Sequence, residues 1–395
     1  MDDSVIKETK ALFEYIRSFD LNSIPDLNTM LSDYNFSYIP IEDLLCKISF
    51  GKNILILDAR SENEYLETHL PEAVNFPVLN DKERHNTGLI YSKYSPLAAV
   101  KLAAEYADPK MPGLKKKLAE LKAGLKEIFV YCWRGGGRSK YLAKMIFDCG
   151  FKPVILTGGI KSYRKKVMEF FAKDFDYNLI ELNGLTGTGK TEILREVSSK
   201  IPVLDLEKSA RHFSSLFGFI PYKIRGYETV KNQSAFENDI FAQIVLQMPM
   251  LKEYNFFLVE SESKKVGDFF IPQNIYLKML EAKSINIYRN IEVRIEHIIN
   301  DYFGTENQGL VEMEKIFTEK ERLFRKELSN KSYETLLNFL QNGDKYRFTK
   351  GMIEEYYDKK YRDKGKTPLT SICSDDVRKA GKELISFLSY INKQD

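Results

Sequence analysis

Cys132 stands in the run Tyr131-Cys132-Trp133-Arg134-Gly135-Gly136-Gly137-Arg138-Ser139, after an apolar stretch and before a helix-forming one. A cysteine just ahead of a helix N-terminus, flanked by arginines, sits where the reactive thiolate is favoured. Three successive glycines leave backbone N–H groups free to turn inward as an anion-binding nest. Arg134 and Arg138 can add charge-assisted hydrogen bonds to a tetrahedral anion. Glycines and arginines at this density have no packing purpose, so Cys132, Arg134 and Arg138 form the expected catalytic set. Cys46, Cys149 and Cys373 lack such surroundings and read as inert.

A second loop, Gly184-Leu185-Thr186-Gly187-Thr188-Gly189-Lys190-Thr191, follows an apolar run and precedes a helical one. That context is the one a phosphate-binding P-loop requires. Gly184, Gly187, Thr188, Gly189 and Lys190 would hold two adjacent phosphates, with Thr191 available to a magnesium ion. The acidic partner after the next core strand would be Glu260, with Glu262 close by, in place of the more usual aspartate. Asp205 and Glu207, at the end of another strand, are further candidates for a metal or base role. The sequence ranks none of these four carboxylates above the others.

The elements that must carry these loops alternate between strand and helix. Residues 53–57, 128–131 and 153–156 are short apolar runs of the buried parallel-strand type, with helical stretches at 96–107 and 139–149. Residues 179–182, 202–206 and 256–260 supply further strands, and 192–200 the helix after the P-loop. Beyond Gln273 the pattern turns largely helical. The expected class is therefore α/β, with sites at the carboxyl ends of parallel strands. Residues 1–35 read as a helical lead-in, 36–172 as the cysteine-loop domain, 172–178 as a polar linker and 178–395 as the P-loop domain with its helical C-terminal part.

Composition bounds the rest. A chain of 395 residues with 43% hydrophobic content exceeds one ordinary core and points to two domains. The net charge of +3 hides 59 basic against 56 acidic residues, so only local clustering can speak for nucleic acid. The four cysteines form no Cys-x-x-Cys pair and the four histidines do not cluster, so no structural metal and no disulfide framework are expected. The start shows no apolar signal-peptide core, and no stretch approaches the roughly 18 apolar residues of a membrane span. The expectation is a soluble, cytoplasmic, monomeric protein without a membrane partner.

The residues around Cys132 resemble a rhodanese domain. Asp58-Ala59-Arg60, Glu64 and His69-Leu70-Pro71-Glu72-Ala73-Val74-Asn75 are similar to its first signature, and Thr157-Gly158-Gly159 to its late glycine pair. Rhodaneses carry sulfur on the loop cysteine as a persulfide. Here the Cys132-x5-Arg138 spacing is that of rhodanese-like phosphatases, one residue wider than in the usual sulfur carriers. Tyr131 stands where such a phosphatase would usually have histidine.

Rhodanese followed by a P-loop domain is the architecture of the bacterial tRNA 2-selenouridine synthases, and the resemblance runs almost end to end. It is carried by the Cys132–Ser139 loop, Asp205-Leu206-Glu207, Ala210-Arg211-His212, Phe217-Gly218, Gln233-Ser234-Ala235-Phe236-Glu237, Glu260-Ser261-Glu262-Ser263, Gly267 and Glu355-Tyr356-Tyr357-Asp358. The departures are Phe213-Ser214 where the family has Arg-Gly, Lys359 where it has proline, and a longer lead-in. The resemblance implies a transferase that replaces sulfur by selenium at wobble 2-thiouridine of tRNA. Geranyl diphosphate first alkylates the sulfur, and selenium from selenophosphate then displaces the S-geranyl group. A division of labour follows as an expectation: geranylation on the P-loop domain, selenation through Cys132, and a geranyl groove among the aromatic-rich helices after Gln273.

The resemblance also implies the tRNA anticodon stem-loop as partner and a selenophosphate-producing enzyme as supplier. Lys115–Lys117, Lys161–Lys166, Lys264-Lys265 and Lys359-Lys360 are the candidate phosphate contacts, although any one such run alone reads as a solvated face. Trp133 reads equally as a base-stacking residue or as packing for the loop. The P-loop reads as a seat for geranyl diphosphate or for ATP. Two rival readings stand beside this one. One is a rhodanese-like sulfurtransferase or phosphatase fused to a P-loop small-molecule kinase. The other is a nucleotide-gated RNA-binding module with an unreactive cysteine.

Overall fold

Short apolar runs build a parallel sheet in each of two units, Met1–Met168 and Glu169–Asp395. The computed structural model describes residues 3–51, 53–121, 126–360 and 366–392, without the side chains of 3–6. No described helix is long and apolar enough to cross a membrane. The α/β class expected from the strand and helix alternation is the class observed.

The first unit holds β1 (Ser37–Ile39), β2 (Ile54–Asp58), β3 (Ala73–Asn75), β4 (Glu127–Tyr131) and β5 (Val154–Leu156), in the order β1-β5-β4-β2-β3 with every pairing parallel. β2 and β4 are central and covered on both faces, which is why they read as unbroken apolar runs. Leu55, Leu57, Ile128 and Val130 pack one face against Leu142, Met145 and Ile146 of the helix Gly137–Asp148. The register sets Asp58 opposite Tyr131. The loops leaving β2 and β4 therefore begin side by side at the carboxyl edge of the sheet.

Asp58 and Arg60 close that edge from inside. Both are fully buried, with Arg60 Nη2 2.6 Å from Asp58 Oδ2 and donating also to the Thr68 carbonyl at 2.5 Å. Between β3 and β4 the chain makes a pair of helices, Asp81–Lys93 and Pro96–Ala107; the second starts where the sequence places it, capped by Ser95 with proline in its first turn. Ile16 and Phe19, at the end of the helix Asp3–Arg17 and just after it, pack on Ile90, Ala98, Ala99 and Leu102 of that pair.

The second unit holds β6 (Asn178–Asn183), β7 (Val203–Leu204), β8 (Phe256–Glu260), the antiparallel hairpin β9 (Lys265–Val266) and β10 (Phe269–Phe270), β11 (Lys283–Tyr288) and β12 (Ser371–Cys373). Its main sheet runs β12-β11-β6-β8-β7, all parallel. Alternate residues of β6 and β8 fill opposite faces: Ile180, Leu182 and Leu258 pack with Ile193, Leu194 and Leu384, while Leu179, Phe257 and Val259 pack with Phe236 and Ile240. β7 is shorter than the apolar run 202–206 because Asp205 turns the chain, its side chain accepting from Lys208 N–H at 2.7 Å to cap the helix Leu206–Ala210. The region beyond Gln273 is largely helical, with an aromatic cluster that includes Phe303, Phe317, Phe324 and Tyr333, yet it returns to the sheet twice as β11 and β12. Those strands are too short and too mixed in polarity to announce themselves in sequence.

Asp58→Asn leaves the Arg60 guanidinium in the core without its carboxylate. The expected cost is about 3–5 kcal/mol, read as a fall in the urea midpoint of the full chain. An unchanged midpoint would refute a structural role for the pair.

Candidate functional site

The cysteine loop and the P-loop occupy equivalent places in their own units, each following a central strand at the carboxyl edge and opening a helix. In the first unit Cys132 follows β4 directly and is only 3% exposed, with Sγ 3.3 Å from Ser139 Oγ. Ser139 in turn donates to the Gly136 carbonyl at 2.9 Å, so the first turn of the helix Gly137–Asp148 holds the residue facing the sulfur. The late glycine pair braces the loop from behind. Ile160 N–H donates to the Cys132 carbonyl at 2.9 Å. Gly159 has φ +59°, and a Cβ there would lie 2.2 Å from that same carbonyl oxygen. Only glycine permits so close an approach.

The loop arginines divide. Arg134 is exposed, whereas Arg138 is drawn onto the carboxylate of Glu64, its Nη1 on Oε2 and its Nη2 3.3 Å from Oε1. Burial works against ionised Glu64, but Arg138's hydrogen bond and charge outweigh it and hold the carboxyl below its usual range. Glu64 is itself oriented by Ser61, whose Oγ lies 3.1 Å away. Tyr131 is fully buried and its hydroxyl accepts from Leu70 N–H at 3.2 Å, a packing role. Trp133 is 41% exposed.

In the second unit β6 runs into Gly184 and the helix Lys190–Val197 follows. Lys190 Nζ folds back on its own loop, donating to the Gly184 and Leu185 carbonyls at 2.8 and 3.2 Å. Three other loop carbonyls are held from outside. Arg294 Nε donates to Thr186 at 3.0 Å, Arg289 Nη1 to Gly187 at 3.4 Å and Ser374 Oγ to Thr188 at 2.7 Å. In a planar trans peptide the N–H points opposite to the preceding carbonyl. Pinning the Thr186 and Thr188 carbonyls therefore turns the amides of Gly187 and Gly189 the other way, and both glycines line a cavity of about 630 Å³. Arg294 is fixed by a fork onto Asp358, at 3.0 and 2.7 Å. Gly189 (φ +76°) leaves room for Arg289, whose Nη2 would lie 2.3 Å from a Cβ.

Geometry separates the four candidate carboxylates. Glu207 accepts from Thr191 Oγ1 at 2.6 Å and, with Glu262, lines the cavity. Glu260 lies fully buried beneath them, one oxygen accepting from Glu207 N–H at 2.8 Å and the other without a hydrogen-bond partner among the described residues. Burial, with Asp205 and Glu207 nearby, pushes its carboxyl well above the ordinary range. Asp205 faces away, capping its helix and taking Arg195 Nε at 3.0 Å. Among the described residues no three His, Cys, Asp or Glu side chains converge as a metal site. The Phe213-Ser214 segment lines the same cavity, and Ser214 N–H donates to Glu207 at 3.1 Å, a contact that any residue's backbone can make.

Sequence reasoning missed Arg289, Arg294 and Ser374 as parts of the P-loop cradle, and Glu64 as the anchor of Arg138. The alternation Ser284-Ile285-Asn286-Ile287 lies in β11, which ends at Tyr288 just before Arg289, and was too faint a signal to reveal the cradle. Thr186, Ile298 and Tyr302 line both the cavity and an apolar crevice of about 30 Å³ that reaches Phe303, Met313 and Phe348.

The model of the tRNA 2-selenouridine synthase AAA domain matches residues 177–390, more than half of the chain. The chain belongs to the tRNA 2-selenouridine synthase family. A rhodanese-like domain model matches residues 42–166. A tRNA 2-selenouridine synthase of Bdellovibrio bacteriovorus is 33% identical, covering 66% of this chain and 67% of its own. That of Nitrosomonas europaea is 30% identical over 68% of each chain. The one from Psychromonas ingrahamii is 25% identical, over 78% of this chain and 87% of its own.

Glu260 makes stability depend on pH with a definite sign. Its folded-state carboxyl is raised, so above the ordinary carboxylate range the unfolded chain sheds a proton that the folded chain still holds, and stability is lost as pH rises. Glu260→Gln keeps the acceptor for Glu207 N–H and has no proton to lose. In magnesium-free urea titrations the variant should match wild type near about pH 4 and gain up to about 1.4 kcal/mol per pH unit above it. A difference that does not change with pH would contradict the raised carboxyl.

Proposed function

We propose that the protein is a tRNA-modifying transferase that converts wobble 2-thiouridine to 2-selenouridine through an S-geranyl intermediate, using geranyl diphosphate and selenophosphate. The observation that carries this reading is the pairing, on one chain, of a P-loop domain of this family with a rhodanese-like unit whose loop presents Cys132. In the first step the thiocarbonyl sulfur attacks the allylic carbon of geranyl diphosphate, and diphosphate leaves. The amides of Gly187 and Gly189, with Lys190 released from its own carbonyls, stabilise the departing charge. Thr191, Glu207 and Glu262 are hard oxygen donors of the kind that hold magnesium when a ligand's phosphates complete the shell, and the ion would add positive charge beside the leaving group. The geranyl chain lies against Ile298, Phe303 and Met313, which part to admit it.

In the second step the selenium of selenophosphate attacks carbon 2, the geranylthio group departs as geranylthiol, and water takes the phosphoryl group from selenium and releases phosphate. Cys132 serves this step, with the loop amides and Arg134 available to the phosphate oxygens and Arg138 able to exchange Glu64 for them. The family membership of the P-loop domain argues against the kinase reading.

The test is mass analysis of a 2-thiouridine anticodon RNA incubated with geranyl diphosphate and then selenophosphate. Cys132→Ala should stop at the S-geranyl product, and Lys190→Ala should fall by at least about 100-fold in forming it, the scale of losing a leaving-group stabiliser. RNA left unmodified by wild type would defeat the proposal, and ATP turnover without RNA would favour the kinase.

A further inference from the structure

The first unit contains a cavity of about 620 Å³ that the two-loop mechanism does not use. It lies between the helix pair Asp81–Lys93 and Pro96–Ala107, the segment Leu27–Met30 and the start of the helix Gly137–Asp148. Leu27, Met30, Leu79, Val100, Ala103 and Tyr141 give it apolar walls. Arg84 and Arg138 also line it, and both approach Glu64, Arg84 Nε at 3.6 Å.

The cavity is a cleft that opens partly to solvent. A cavity of this size, with apolar walls and a few charged groups, has the form of a ligand site. Its position says which ligand. Gly137 and Arg138 line it, and the next residue, Ser139, is the one that faces Cys132 Sγ at 3.3 Å. An aliphatic chain lying in the cavity would thus emerge beside the cysteine loop, with arginines at hand for the phosphates of whatever carries it. Leu27 and Met30 precede residue 42, where the rhodanese-like match begins, so part of the wall comes from outside the matched domain.

We propose that this cavity receives the aliphatic chain of the S-alkylated uridine while its carbon 2 is presented to the cysteine loop. The inference rests on the proposed two-step reading and adds a second prenyl-binding site, in the unit that carries Cys132. It makes selenation selective for long S-alkyl groups, and it shields the geranylthio leaving group from water.

Gly88 lines the cavity, and a Cβ there meets nothing within 4 Å, so Gly88→Phe can fill the space without a backbone clash. Ala103→Phe fills it from the facing helix. Full-length wild type and both variants are given selenophosphate with S-geranyl or S-ethyl 2-thiouridine RNA, and the same preparations are assayed for geranylation of 2-thiouridine RNA. The variants should lose on the order of tenfold or more in kcat/KM for the S-geranyl RNA, because buried methylenes lose their site. They should keep wild-type rates on S-ethyl RNA and in geranylation. Undiminished selenation of S-geranyl RNA by both variants overturns the cavity assignment. If wild type selenates neither RNA, it is the two-step reading that has failed. Calorimetric titration of the S-geranyl-2-thiouridine nucleoside then decides the cavity alone: heat-capacity-lowering binding to wild type that Gly88→Phe abolishes sustains it, and no binding, or equal binding to both, refutes it.

Discussion

The carbonyls of Thr186, Gly187 and Thr188 are gripped from outside the P-loop by Arg294, Arg289 and Ser374, and the shape of that loop depends on the grip. A glycine-rich loop is flexible, and a flexible loop loses conformational entropy when it closes on an anion. Holding the carbonyls settles the direction of the amides before any ligand arrives. The grip explains why the helical C-terminal part rejoins the sheet. β11 must run beside β6 to deliver Arg289 and then Arg294, and β12 beside β11 to deliver Ser374. Asp358 continues the chain of support by forking onto Arg294.

The first unit solves the same problem with backbone in place of arginines. The Cys132 carbonyl is held by Ile160 N–H, and Gly159 lets the two segments approach to a distance no side chain would allow. Its charged groups are paired in advance: Asp58 with Arg60 in the core, Arg138 with Glu64 at the loop. The two pairs differ in consequence. The first is sealed and structural, while the second keeps a slight exposure to solvent, 19% for the Arg138 side chain and 10% for that of Glu64.

The carboxylates beneath the P-loop show how burial assigns roles among similar side chains. Glu207 touches Thr191 and lines the cavity, Glu260 is sealed below it with its carboxyl pushed well above the ordinary range by burial, and Asp205 is spent on a helix cap and on Arg195. The Phe213-Ser214 departure borders the same carboxylate. The contact made to Glu207 there is a backbone N–H, which does not depend on the residue type.

The loops that carry Cys132, Lys190 and Thr191 were legible in the sequence as strand-to-helix turns, because a loop between strand and helix is a local object. The central strands β2, β4, β6 and β8 were legible because burial on both faces leaves an unbroken apolar run. β1, β3, β11 and β12 were not, since their polar positions leave no unbroken apolar run. Arg289, Arg294 and Ser374, and the pairing of Glu64 with Arg138, were also hidden. Each acts on a residue far along the chain, and that proximity exists only once parallel strands have brought the segments together. The cavity beside the cysteine loop is the extreme case. Its walls are ordinary Leu, Met, Val and Ala at helical spacing, which in sequence read as core, and only the packing of the helices leaves the space between them empty.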